Sequence, residues 1–180
     1  VQAALAIPDA RVVYKPHPRV VESPDPLIRA NHKKLVSLIA AAGAQHLYLP
    51  TADILGILPE TDLLIADVSS VTLDHLYLAP DSPIILTDRR SDSDQLHADS
   101  PVSAACAVID QSSINGINEL ITTSLETDAH RSDRESMRSY YFGNTEQDSS
   151  TGAFWSAIAT EIAAHDAALQ GIQRVRQVGS

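Results

Sequence analysis

The stretch Glu60-Thr61-Asp62-Leu63-Leu64-Ile65-Ala66-Asp67-Val68-Ser69-Ser70-Val71-Thr72-Leu73-Asp74 decides the fold. Leu63 to Ala66 is a short apolar run of the kind a buried parallel strand requires. The run ends at Asp67, passes through Ser69 and Ser70, and resumes from Val71 with residues compatible with a helix. A strand that turns directly into a helix leaves unpaired backbone N–H groups converging on one point. The helix dipole and those donors both favour an anion there. The segment reads first as a phosphate seat between a strand and a helix.

Outward from it, apolar runs and helical periodicities alternate. Val12-Val13-Tyr14-Lys15 is β-branched and aromatic, a strand stopped by Pro16 and Pro18. Leu27 to Ala42 is expected to be helical, with Ile28, Leu35, Val36 and Ile39 on one face and Gly43 as its stop. His46 to Leu49 is a second strand, and Thr51 to Leu58 a short helix with Thr51 as its cap. The helix after the third strand runs from Ser70 to Leu78. Pro83 to Thr87 and Ala105 to Ile109 are the fourth and fifth strands, separated by a polar loop over 88–101. A helix follows through Ile114, Ile117, Leu120, Ile121 and Leu125. Ser132 and Glu135 have capping-box spacing and open a charged helix. Gly143 to Gly152 reads as a polar linker. Phe154, Trp155, Ile158 and Ile162 mark a last amphipathic helix, and 171–180 is expected to be a frayed tail. Such alternation predicts an α/β fold, a Rossmann-like doubly wound parallel sheet over residues 1–170 with helices on both faces.

A chain of 180 residues, 44% hydrophobic and 20% charged, fits one soluble globular domain. It lacks any apolar run near the ~20 residues of a membrane span. Pro8, Asp9 and Arg11 break the only early apolar stretch, so a signal peptide is not expected. The chain starts at Val1 in what reads as a helix already under way, and a piece of a longer protein is expected. Cys106 is the single cysteine, lies in an apolar run and reads as a small buried hydrophobe, with a reducing compartment expected. The net charge of −10 is uneven: residues 1–50 hold six Lys/Arg against three Asp/Glu, and residues 51–180 hold seven against twenty. An acidic body repels nucleic acid and anionic lipid. The basic start, with Lys15, Arg19, Arg29, Lys33 and Lys34, can draw in a phosphorylated ligand or can be a solvated helix face.

Two constellations fall at strand carboxyl ends, where doubly wound sheets bind ligands. In Lys15-Pro16-His17-Pro18 the prolines hold the backbone extended and display His17 on a stiff spur, able to donate to a phosphate oxygen or move a proton. The bland alternative is a surface turn. In Asp67-Val68-Ser69-Ser70 with Asp74, the hydroxyls can bind phosphate and Asp74 can accept bonds from a polyol. The alternative is plain N-capping by Ser70, with Asp74 complementing the dipole. Arg89 and Arg90 follow the fourth strand as a phosphate clamp or as a solvated loop. Glycine-rich dinucleotide and P-loop patterns are absent, as are a hydrolase elbow at Ser69 and H-x-x-x-H or H-E-x-x-H pairs for zinc. The sequence singles out no metal-ligand set and no particular cofactor. His75 is expected to pack against the sheet, and His32, His97, His130 and His165 to lie at the surface.

Lys15-Pro16-His17-Pro18, Leu58 to Val71, Asp74 and Pro83-Ile84-Ile85 together resemble the CDP-glycerol glycerophosphotransferase family, the primases and polymerases of teichoic-acid-like poly(alditol phosphate) chains. The likeness covers about residues 10–88, with weaker echoes from Phe154. It departs at Val68, where the family usually has Tyr, and around residues 95–100, where an Arg-Gly pair is missing. The resemblance implies the carboxyl-terminal, donor-binding half of a GT-B enzyme. By this carry-over His17 is catalytic, contacting the donor pyrophosphate and stabilising departing CMP. Lys15, Asp67, Ser69, Ser70, Asp74 and Arg89 are the donor- and phosphate-binding set. The donor implied is CDP-glycerol or a related CDP-alditol. The acceptor is a lipid-linked polymer reached through an upstream Rossmann-like domain of the same parent chain, and the place of action is the cytoplasmic face of the cell membrane. Nucleic acid is not an expected partner. Two alternatives stay open: another GT-B enzyme using a UDP- or GDP-sugar (a glycosyltransferase or an epimerase), and a non-catalytic nucleotide-binding module.

Overall fold

Among the described residues, five short strands form two sheets, each with parallel pairing. The computed structural model describes the backbone of residues 1–143 and 150–178 and the side chains of 1–143 and 150–169. β1 (Val13–Tyr14) pairs with β2 (Leu47–Tyr48), and β3 (Leu64–Asp67), β4 (Ile84–Thr87) and β5 (Ala107–Ile109) form a second sheet in that order. Each parallel step needs a crossover. α3 (Pro26–Ala42) connects β1 to β2, α4 (Val71–Leu78) connects β3 to β4, and α5 (Ser93–Asp99) with a 3-10 turn at Pro101–Ala105 connects β4 to β5. The class is mixed α/β, as the alternation predicts.

The strands do not form one five-stranded sheet: among the described residues no ladder joins the pair to the triplet. The pair is only two residues deep. Pro16, two residues past Tyr14, has no N–H to donate, and Pro50 stands in the same place after β2. Tyr14 and Tyr48 stack side by side in register and both reach His32 of α3, with phenol oxygens 3.1 and 3.3 Å from its two ring nitrogens. His32 is therefore half-buried rather than a surface residue.

The deeper core belongs to β4. Ile84, Ile85 and Leu86 are all buried although successive side chains point to opposite faces, so both faces of the second sheet are covered. On one face Ile85 and Ile109 pack with Ile121 of α6 (Ile117–Thr127) and with Ala3 and Ala4 of α1 (Gln2–Leu5). α1 also touches α3. α4 packs on β3, and its buried stripe, Thr72, His75 and Leu76, has the i, i+3, i+4 spacing of one helix face.

Local chemistry sets the helix ends. Asp25 caps α3 by accepting the Leu27 N–H at 2.8 Å, Pro26 starts it, and Gly43 at φ +124° ends it. The segment expected as a helix over Thr51–Leu58 is two 3-10 turns, Ile54–Gly56, capped by Asp53 rather than Thr51, and Leu58–Glu60, with Pro59 in its first positions. The expected loop 88–101 contains α5, whose cap is Asp92, accepting the Gln95 N–H at 3.0 Å. α7 (Arg131–Phe142) starts ahead of the capping-box pair, so Ser132 and Glu135 lie inside the helix. The chain divides into two units, Val1–Tyr141 and Phe142–Ser180. The second holds α8 (Ser150–Val178), in which Ser150, Thr151 and Gly152 of the expected linker are already helical; 144–149 lie outside the described residues. Among the described residues no helix is long and apolar enough to cross a membrane.

Candidate phosphate site

The first segment leaves β1. His17 has extended dihedrals and caps α2 (Pro18–Val21), its Nδ1 accepting the Arg19 N–H at 3.1 Å. An imidazole whose Nδ1 accepts carries its proton on Nε2. That Nε2–H belongs to an exposed ring at the end of a proline-stiffened spur, free to donate to an anionic oxygen. Lys15 is half-buried and already engaged: its Nζ donates to the Pro50 carbonyl at 3.1 Å and approaches the Pro16 carbonyl at 3.5 Å. It ties the ends of β1 and β2 together. Arg29 of the basic start donates to the carbonyls of Ser23 and Pro24, whereas Lys33 and Lys34 are exposed on α3.

The second segment leaves β3. Asp67 and Val68 are exposed, and the Ser69 Oγ donates weakly to the Asp67 carbonyl at 3.4 Å. Ser70 occupies the N-cap position of α4 with helical dihedrals, and its hydroxyl makes no cap bond. The carbonyls of Ser69 and Ser70 accept the N–H groups of Thr72, Leu73 and Asp74. The N–H groups of Ser69, Ser70 and Val71 have no acceptor among the described residues. Three unpaired donors and an uncommitted hydroxyl thus gather at a helix start, with half-buried Asp74 one turn on.

The third segment leaves β4, and here the sequence reading missed a residue. Asp88 is buried, and its carboxylate accepts the N–H groups of Arg90 and Asp92, each at 3.0 Å. These bonds, the Arg90 N–H first, hold its carboxyl below the usual carboxylate range. Arg90 pairs with Asp99 at 2.7 Å and lies 3.7 Å from Asp88. Arg89, between them, is exposed and forms no ion pair among the described residues. The signal in the sequence is an aspartate placed directly after the apolar run Ile84 to Leu86 and Thr87.

Register brings two of the three segments together. Asp67 lies opposite Thr87, so the Ser69-Ser70 turn and the Asp88–Asp92 turn leave neighbouring strands on one rim. The Lys15–His17 segment leaves the carboxyl end of the other sheet, and no hydrogen bond or ion pair among the described residues links it to the first two. A cavity of about 580 Å³ lies at the opposite, amino-terminal ends of β3 and β4. Asp62, Asp81, Glu126 and Asp128 outnumber Arg131 in its wall, which disfavours an anion. Behind the rim, His75 is fully buried. Burial foremost pushes its pKa down to about 4, and Nε2–H donates to the Ser82 carbonyl at 3.3 Å. Cys106 is buried, its thiol donating to the Val102 carbonyl and pushed up to about 12 by burial, which makes it a packing residue.

No family model, curated protein or solved structure matches this chain.

Proposed function

We propose that the chain is the donor-binding half of a glycerophosphotransferase that moves an alditol phosphate from CDP-glycerol, or a related CDP-alditol, to a lipid-linked teichoic-acid-like polymer. The observation that carries this reading is the Ser69-Ser70 turn, where three backbone N–H groups and the Ser70 hydroxyl have no hydrogen-bond partner among the described residues at the carboxyl end of β3. The motif resemblance supplies the cytidine nucleotide and the alditol. We also infer that the two sheets are halves of one Rossmann-like arrangement in the order β2-β1-β3-β4-β5. Parallel pairing within each sheet, helical crossovers and the packing of α1 against both α3 and α6 support it. In that order β1 and β3 flank the point where the chain reverses direction, the place where such sheets bind ligands.

In the proposed reaction an acceptor hydroxyl attacks the β-phosphorus of the donor. The new P–O bond forms as the bond to CMP breaks, and the hydroxyl proton passes to a base on an upstream domain of the parent protein. The Nε2–H of His17 donates to the departing phosphate, and the Ser69-Ser70 turn neutralises its charge. The parent protein would work at the cytoplasmic face of the membrane that holds the acceptor.

Titration of the chain with CDP-glycerol, CMP, UDP-sugars and GDP-sugars tests the reading. Preference for cytidine is expected. Preference for uridine or guanosine would point instead to a GT-B enzyme acting on sugar nucleotides, and absence of nucleotide binding to a non-catalytic module. His17→Ala is expected to weaken donor binding modestly and to abolish transfer in the full-length protein; unchanged turnover would remove His17 from the mechanism.

A further inference from the structure

Every described residue of α8, from Ser150 to Leu169, is exposed, its large apolar residues included. Those residues are not scattered. Trp155, Ile158, Ile162 and Leu169, with His165 among them, recur at alternating steps of three and four residues. That is the 3.5-residue spacing of a seam between two paired helices, and Phe154 runs along its flank. Phe154, Trp155, Ile158, Ile162 and Leu169 are between 37 and 63% exposed, and the two aromatic rings pack edge to face with centroids 5.5 Å apart. The other positions up to Leu169 are small or hydroxyl-bearing, apart from Glu161 and Asp166. Covering the five large apolar side chains removes roughly 500 Å² per copy and about 1,000 Å² for two copies, the size at which specific interfaces begin.

Charge selects what covers this stripe. Residues 150–169 hold two carboxylates and neither lysine nor arginine. An anionic lipid surface, which holds amphipathic helices through basic flanks, is disfavoured. A second copy of the helix laid parallel would set Glu161 beside the partner's Asp166 on both sides of the seam, a like-charge contact. Laid antiparallel, with Ile162 of each copy against the partner's His165, the acids separate. Glu161 then meets the partner's Ala168, Asp166 meets the partner's Ala159, and Ile158 meets the partner's Leu169. The two helix dipoles also oppose in that arrangement. We propose that α8 pairs two copies of the chain as an antiparallel helix dimer, with Trp155, Ile158, Ile162, His165 and Leu169 as its seam. His165 is the polar residue of the seam and sets its register at a cost in affinity, as a lone polar core residue does in paired helices. The pairing does not depend on what the carboxyl rim binds.

Sedimentation equilibrium of the 180-residue chain over a range of concentrations tests the pairing, with a thermal midpoint measured for every variant. A species of twice the 19.3 kDa chain mass, dissociating on dilution, is expected. Ile162→Glu keeps a good helix former and puts a charge in the seam, and is expected to raise the dissociation constant about a hundredfold or more. Should that variant lose its fold, Ile162→Ala decides, with a rise of about tenfold expected. His165→Leu is expected to lower the constant about tenfold. Orientation is read by mixing Ile158→Cys and Leu169→Cys chains under oxidation, Cys106 being buried. Crosslinks between the two variants are expected; crosslinks within Ile158→Cys alone overturn the antiparallel seam. A monomer at every concentration, or a dimer indifferent to the Ile162 changes, overturns the proposal. If that monomer loses thermal stability with Ile162→Glu, the stripe is covered by residues 1–141 of its own chain. If it sediments instead with phosphatidylglycerol vesicles, the occupant is lipid.

Discussion

At Ser70 the position and the chemistry part company. The residue stands where a helix cap stands, yet its dihedrals are helical and its hydroxyl caps nothing. Removing that hydroxyl therefore removes no native hydrogen bond. Ser70→Ala is expected to shift unfolding free energy by less than about 0.5 kcal/mol, as at an ordinary exposed site, and to lower donor affinity by about 1 kcal/mol. Chemical denaturation beside ligand titration separates the two; a stability loss matching the affinity loss would make Ser70 a cap after all. His75 is the opposite kind of residue, fully buried and neutral, with Nδ1 lacking a partner among the described residues and Nε2–H on Ser82. Folded, it takes up a proton only near pH 4, against 6.5 for a free imidazole, because burial and then the nearby Arg134 disfavour its charge. Between those values the unfolded chain holds more protons, so stability falls as pH drops from 6.5 toward 4, by about 3 kcal/mol at most, and is unaffected by this group above 6.5. Melting curves across that window check it, and His75→Gln is expected to flatten the profile.

Among the elements, α7 has a single buried residue, Arg134, and it is a charged one. Arg134 is fully buried, its guanidinium donating to Asp128 at 2.8 Å and its Nε to the Pro80 carbonyl at 2.9 Å. Asp128 ends α6 in a left-handed conformation, φ 40°, so one arginine joins the end of α6, the start of α7 and the turn between α4 and β4. Cutting Arg134 to alanine leaves a carboxylate and carbonyls short of donors, and a loss of about 3–5 kcal/mol is expected in denaturant unfolding. The sequence hinted at α7 through its charged periodicity but put the cap at Ser132, because a capping-box spacing also occurs inside helices. The strands were legible to within two residues, since apolar runs bounded by proline and aspartate carry a local signal. α5 was not: Leu96 is its only buried residue, and the Asp92–Gln95 cap was the clue in an otherwise polar run.

For the whole molecule, the sequence by itself determined the order of the strands and of the longer helices between them, the parallel pairing of neighbouring strands and the two motif segments at strand carboxyl ends. These follow from propensity, turn chemistry and the crossover that parallel pairing demands, all local along the chain. Only the tertiary structure decided that the strands form a pair and a triplet, that Lys15 is bound to Pro50, and that Arg90 but not Arg89 has an ion-pair partner among the described residues. Each of those outcomes hangs on a partner distant in sequence. Lys15 meets a carbonyl 35 residues on, and Arg90 a carboxylate nine residues on. Identical side chains acquire different roles because burial and hydrogen-bond supply are properties of the folded surroundings, which no local pattern encodes.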